Sequence, residues 1–272
     1  MTTATLTFIG AGNMATSIIG GLIEQGYHAQ AITACDPNAD TLAKLQQQFA
    51  VNISQNNTEA VNNADVVVLA VKPQILKVVA QALQKALAPN TLVISVAAGI
   101  SSQHLSQWLG ERVAIVRCMP NTPSLVQQGA CGLFANPYTT ATQRDLAQQL
   151  MDAVGYSTWI EEESQIDTVT AVSGSGPAYF FMLMEAMIDA AVTQGLSKEA
   201  ATQLTLQTAL GAATLAKGSD VDVAELRQRV TSPGGTTASA LASFNEDDFH
   251  TIVAKAMAAC TERSQAMAQE FS

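Results

Sequence analysis

From Thr5 to about Ile160, short β-branched and aliphatic runs alternate with stretches of helical periodicity. This pattern predicts an open, mostly parallel sheet with helices on both faces. Strands are expected at 5–10, 31–36, 50–53, 65–71, 91–96 and 112–118. Further strand signals at 130–135 and 156–160 flank a helix at 140–153 and extend the sheet edge. The run Asp65-Val66-Val67-Val68-Leu69-Ala70-Val71 is continuously apolar after its first residue, as a strand covered on both faces requires.

After residue 161 apolar residues recur at helical spacing and strand signals vanish, so the chain divides into 1–160, a Rossmann-type α/β nucleotide-binding domain, and 161–272, an all-α domain. The first long helix of the second domain begins at Ser173-Gly174-Ser175-Gly176-Pro177, and only Glu185 and Asp189 interrupt its apolar surface. A domain of that size cannot cover such a helix alone, which points to a subunit interface and a homodimer or higher homo-oligomer. A second helix from Lys198 to Lys217 ends at Gly218-Ser219-Asp220, and another starts near Ala238. A terminal helix carries a stripe from Phe249 and Ile252 through Cys260 to Phe271.

The strand-to-helix junction Phe8-Ile9-Gly10-Ala11-Gly12-Asn13-Met14-Ala15 has the form Gly-x-Gly-x-x-Ala. Gly10 allows a tight turn, Gly12 lets backbone approach a pyrophosphate, and Ala15 keeps helix and strand close. The helix N-terminus offers N–H groups and a positive dipole to the anion. Asp36 follows Gly12 by 24 residues at the end of a short apolar run, near the spacing of a ribose-binding acid. The crevice at the strand ends then gathers the loops at Gly10, Asp36, Lys72, Ala97-Ala98-Gly99 and Met119-Pro120-Asn121-Thr122.

Composition narrows the partners. A net charge of −10 and a pI near 4.6 argue against nucleic acid or an anionic membrane, so an anionic ligand must be held by local groups. Cys35, Cys118, Cys131 and Cys260 stand far apart, which suggests neither a zinc site nor a disulfide framework, and no metal is expected. With no apolar run near the length that spans a bilayer, a cytoplasmic location is expected. His28, His104 and His250 receive no role and are read as surface residues.

Several polar residues admit two readings. In Thr231-Ser232-Pro233-Gly234-Gly235-Thr236-Thr237, two glycines and the threonine and serine hydroxyls before a helix suit a small anion such as a carboxylate, or form an ordinary cap with Thr236 or Thr237 as N-cap. Ser175 likewise fits an N-cap, with Pro177 in the first turn. Lys72, followed by Pro73, either reaches cofactor phosphate or ribose or merely closes a strand. Asn57 and the 119–122 loop either contact ligand or satisfy turns. Arg117, on an apolar strand, is expected to make a structural pair.

Taken together, F-I-G-A-G-N-M-A at 8–15, A-V-K-P at 70–73, A-A-G at 97–99, M-P-N-T-P at 119–123, S-G-S-G-P-A-Y at 173–179 and S-P-G-G-T-T at 232–237 resemble the pyrroline-5-carboxylate reductase family. The resemblance implies a nicotinamide-nucleotide domain using NADPH or NADH, a helical domain that intertwines with its partner, a substrate pocket at the subunit interface, and reduction of 1-pyrroline-5-carboxylate to L-proline. It implies cofactor contacts at Gly10, Ala11, Gly12, Asn13, Met14, Asp36, Asn57, Val71, Lys72, Pro73 and Ala98. It places the substrate at Gly234, Gly235, Thr236 and Thr237, with Asp220 nearby and Thr237 or a water hydrogen-bonding the ring nitrogen. Two alternatives remain: another imine or β-hydroxyacid dehydrogenase-like reductase, or a nucleotide-sensing protein without turnover. The β-hydroxyacid dehydrogenase group has a lysine on the first long helix of the second domain, and Ala178 to Gly195 contains none.

Overall fold

Hydrophobic alternation sorts the strand residues into two layers. In a computed structural model, which describes residues 4–270, Leu6, Phe8, Val66, Val68 and Ile94 face one apolar cluster, while Ile9, Val67, Leu69 and Val93 face a second. The strands are β1 (Leu6–Ile9), β2 (Ile32–Cys35), β3 (Asn52–Ser54), β4 (Val66–Leu69), β5 (Leu92–Ser95), β6 (Ala114–Met119), β7 (Gly129–Ala135) and β8 (Gly155–Trp159). They form one sheet in the order β3-β2-β1-β4-β5-β6-β7-β8. All neighbours are parallel except β6 and β7, which are antiparallel.

Seven helices accompany the sheet: α1 (Asn13–Glu24), α2 (Ala39–Phe49), α3 (Asn57–Val61), α4 (Pro73–Leu83), α5 (Ser102–Leu109), α6 (Ala141–Asp152) and α7 (Gln165–Val169). Ile18, Ile19 and Leu22 of α1, Leu42 and Leu45 of α2, and Leu150 of α6 fill the first layer. Leu76 and Leu83 of α4 and Leu105 and Trp108 of α5 fill the second. Burying both faces explains the unbroken aliphatic runs, since neither side of a central strand meets water. Local capping sets several helix starts, such as Asn38 accepting from the Asp40 and Thr41 N–H groups and the reciprocal Thr140 and Gln143 box.

All eight expected strands and the expected helix are present, with no end displaced by more than two residues. The chain has two compact units: one runs to Ser175 and takes in the stretch from Ala259, and the other is Gly176–Ala258. The second contains α8 (Gly176–Thr193), α9 (Lys198–Lys217), α10 (Val223–Arg229), α11 (Thr236–Glu246) and the first half of α12 (Phe249–Glu270). Gly218 ends α9 as expected. Phe271, assigned to the terminal stripe, lies outside the described residues.

Ser175 departs from expectation. It is not an N-cap, because α7 and a π-helical segment, Thr170–Gly174, lead straight into α8 and the chain never becomes extended there. Ser175 has φ −91° and ψ −20°, and its hydroxyl lies 3.2 Å from the Cys260 thiol. Thr236 and Thr237 are not caps either. The N-cap of α11 is Gly235, and no side chain bonds to the helix start.

Candidate active site

Parallel pairing brings the carboxyl ends of β1, β2, β4, β5 and β6 onto one rung: Ile9 is opposite Cys35 and Leu69, Leu69 is opposite Ser95, and Ser95 is opposite Arg117. The loops that follow therefore open at one edge. Gly10 turns there with φ +100°, and a Cβ on it would lie 2.7 Å from the Ala70 carbonyl oxygen. Gly12 differs, since a Cβ there would meet no protein atom within 4 Å. Protein packing does not require glycine at residue 12, so the space in front of it is open to the close approach of a ligand. Gly12 is also the N-cap of α1 and makes no side-chain bond; the first helical bond runs from the Thr16 N–H to the Gly12 carbonyl. The N–H groups of Asn13, Met14 and Ala15 thus point from a helix start with no partner among the described residues. An open turn with free donors fits a dinucleotide pyrophosphate.

Asp36 closes this turn. One carboxylate oxygen accepts the Ala11 N–H at 3.0 Å and the other accepts the Asn38 N–H at 2.9 Å. Each oxygen keeps a lone pair for a ribose hydroxyl. Asn57 opens α3, half-buried, while its neighbour Asn56 does the capping by accepting the Glu59 N–H. Lys72 is the exposed N-cap of α4 with Pro73 in the first turn, and it makes no ion pair among the described residues. Val71 lies beside Gly10, and Ala98 sits half-buried in the β5–α5 loop.

Arg117 makes the structural pair expected of it. Its guanidinium donates to Glu163 at 2.7 Å, and the same carboxylate accepts the Ser102 N–H and hydroxyl, each at 2.6 Å. Glu163 thereby ties the α5 start to the end of β6. Sequence reasoning missed it, because nothing separates it from its neighbours Glu161 and Glu162. Asn121 is also committed: its oxygen accepts the Ala130 N–H and its amide donates to the Ser173 carbonyl, both at 2.9 Å.

Burial pushes the Cys35 thiol up to about 12, aided by the Asp36 charge. Burial also raises Cys118, with Cys131 beside it adding to the effect. Both stay protonated and poorly nucleophilic at neutral pH. His104 is half-buried and stacks on Trp108 in α5 rather than standing on the surface. Among the described residues no acidic, histidine or cysteine cluster suits a metal ion, and no helix is long and apolar enough to cross a membrane.

In the helical unit the loop before α11 turns at Gly234 with φ +70°, and the Gly235 N–H is spent on the Ser232 carbonyl at 3.0 Å. The first helical bond is from the Ser239 N–H to the Gly235 carbonyl. The N–H groups of Thr236, Thr237 and Ala238 and both threonine hydroxyls therefore have no partner among the described residues. Asp220 is exposed just beyond α9.

A mostly parallel sheet with an open glycine turn, followed by a helical unit whose loop before α11 leaves N–H groups unpartnered among the described residues, is the layout of a two-domain nicotinamide-dependent oxidoreductase. Family models agree: residues 163–267 match pyrroline-5-carboxylate reductase dimerisation, and 5–99 match NADP oxidoreductase coenzyme F420-dependent. The chain is 54% identical over 271 residues to a pyrroline-5-carboxylate reductase of Pseudomonas aeruginosa, covering 100% of this chain and 99% of that protein. The solved reductase of Coxiella burnetii is 44% identical and superposes with a TM-score of 0.95 over 98% of this chain and 99% of that one. That of Plasmodium falciparum, solved with NADP bound, is 32% identical with a TM-score of 0.86 over 97% and 98%. The chain belongs to the pyrroline-5-carboxylate reductase family.

Proposed function

We infer that this chain reduces 1-pyrroline-5-carboxylate to L-proline, the last step of proline biosynthesis, with NADPH or NADH. The observation that carries the reading is identity along the whole chain to reductases of that name. We divide the work between residues 1–160, which bind the dinucleotide, and 161–272, which bind substrate and associate as a homodimer. A cytoplasmic location suits a reaction between small metabolites.

The pyrophosphate rests over Gly12 on the N–H groups that open α1, those of Asn13, Met14 and Ala15, while Ala11 gives its own N–H to Asp36. Asp36 and Asn57 orient the adenosine ribose, Lys72 supplies positive charge, and Val71, Pro73 and Ala98 line the path of the cofactor. When bound, the reduced nicotinamide supplies a hydride for the imine carbon, and the imine nitrogen takes a proton. Gly234 and Gly235 shape the turn that lets the substrate carboxylate reach the N–H groups of Thr236 and Thr237. The Thr237 hydroxyl holds the ring nitrogen or the water that protonates it, and Asp220 stands as a further polar group toward substrate. Rate then comes chiefly from positioning.

Turnover of pyrroline-5-carboxylate by the purified protein tests the reading directly. Thr237→Val, which keeps the shape, is expected to lower kcat/KM by about two- to ten-fold, the equivalent of one hydrogen bond, with cofactor binding nearly intact. Unchanged kinetics would remove Thr237 from the site. For cofactor choice, Asp36 favours the 2′-hydroxyl of NADH and repels a 2′-phosphate. NADH should be accepted, and Asp36→Ser should move the preference toward NADPH. A wild type that binds NADPH far more tightly, with the same ratio in the variant, would overturn that expectation.

A further inference from the structure

Helical geometry leaves one carbonyl of the chain in difficulty. In a regular helix the Ser173 carbonyl accepts the N–H four residues on, but residue 177 is proline and has none. A proline ring also crowds that carbonyl. The chain responds by widening: Thr170–Gly174 is π-helical, with the Ser175 N–H bonded to the Thr170 carbonyl at 2.8 Å. The Ser173 carbonyl finds its donor elsewhere, in the side-chain amide of Asn121 at 2.9 Å.

Asn121 is well placed to do this. It is 8% exposed, its other amide end accepts the Ala130 N–H, and it follows the end of β6 at the open edge of the sheet. Met119, two residues earlier, closes on the same turn, where a Cβ on Gly174 would lie 2.8 Å from the Met119 methyl. The loop 119–121 and the distorted turn 173–175 thus fit one another through a small residue and a single amide. In doubly wound sheets the second mononucleotide half, the nicotinamide side, lies over the strands on this side of the switch point.

We propose that Asn121 is a positioning residue for the reductase reaction: by replacing the donor that Pro177 lacks, it holds the widened turn at Ser173 against the end of β6 and so fixes the nicotinamide end of the site. The inference rests on the reductase function inferred above. It explains in physical terms why M-P-N-T-P and S-G-S-G-P occur in one chain, since the proline of the second creates the need that the asparagine of the first meets.

The test combines Asn121→Asp, Asn121→Ala and Pro177→Ala. Asn121→Asp keeps volume and the acceptor for Ala130 but sets a carboxylate against the Ser173 carbonyl. In folded protein it is expected to lower kcat by about ten-fold, the rate equivalent of one buried hydrogen bond, with the Kd for NADPH little changed. Pro177→Ala restores a main-chain N–H, so Asn121→Ala should cost much less kcat in that background than in wild type. Full kcat in folded Asn121→Asp, or equal losses from Asn121→Ala in both backgrounds, would overturn the proposal. Should Asn121→Asp fail to fold, failure of Pro177→Ala to recover stability in Asn121→Ala would overturn it as well. Wild-type turnover is measured first. Its absence would remove the reductase reading, while coupling between residues 121 and 177 would still be read from melting curves.

Discussion

Gly12→Ala is expected to leave the fold intact and destroy cofactor binding, whereas Gly10→Ala is expected to unfold the nucleotide-binding unit. At Gly12 the backbone is extended, with φ −75° and ψ −176°, and an added methyl meets no protein atom within 4 Å. Alanine is a poorer N-cap than glycine but restricts the unfolded chain more, and these two effects of about half a kcal/mol oppose one another. Stability should hardly move. The methyl nevertheless projects into the space where backbone N–H groups must come within about 3 Å of phosphate oxygens, so NADPH affinity should fall by about a hundred-fold or more. At Gly10 the φ of +100° strains any Cβ, and contact with the Ala70 carbonyl at 2.7 Å adds repulsion. Together these cost several kcal/mol of the roughly 5–15 that hold a domain folded. Melting curves and fluorescence titration with NADPH separate the two outcomes. A Gly12→Ala protein with wild-type affinity would show that the pyrophosphate does not lie over this turn.

The contrast between these two glycines also shows what a sequence can carry. Both stood out because a glycine-rich turn between an aliphatic run and a helix is a local pattern, although part of the reason for Gly10, the Ala70 carbonyl beside it, comes from the end of a neighbouring strand. Strand positions were equally visible, since β-branched runs mark them wherever both faces are buried. Their ends were not, because the last rung depends on neighbours. The run 65–71 leaves the ladder after Leu69, with the Ala70 N–H making one more bond to the Ile9 carbonyl before the loops diverge. Glu163 lay hidden in a run of three glutamates, and only the fold sets it against Arg117 and Ser102, far off in sequence. The capping roles expected of Ser175, Thr236 and Thr237 failed for a related reason. A hydroxyl before a helix caps only when the chain enters extended and nothing else is asked of it. Ser175 follows a helix, and at Gly235 the extended residue has no side chain.

Met182→Glu is expected to abolish both the soluble dimer and the activity. The helical unit has almost no interior of its own: Ala201 is its one buried hydrophobic residue, while Phe180, Phe181 and Met182 of α8 are 63%, 62% and 73% exposed and Leu204 and Leu210 of α9 are 59% and 62% exposed. A unit with that surface must be covered to be stable, and the match of residues 163–267 to a dimerisation family supports a second copy of this chain as the cover. Met182 is the better probe than Met184, which is already half-buried within the chain. In a two-fold dimer each substitution appears twice, and two unpaired carboxylates buried in an apolar seam cost several kcal/mol, with each 1.4 kcal/mol weakening association about ten-fold. If the seam buries more than about 2,000 Å², as obligate dimers commonly do, the separated chain has no stable folded form to fall back on. Sedimentation at nanomolar concentration with a parallel assay decides it. A folded monomer with full turnover would show that the site is complete in one chain and that the apolar helices serve another purpose.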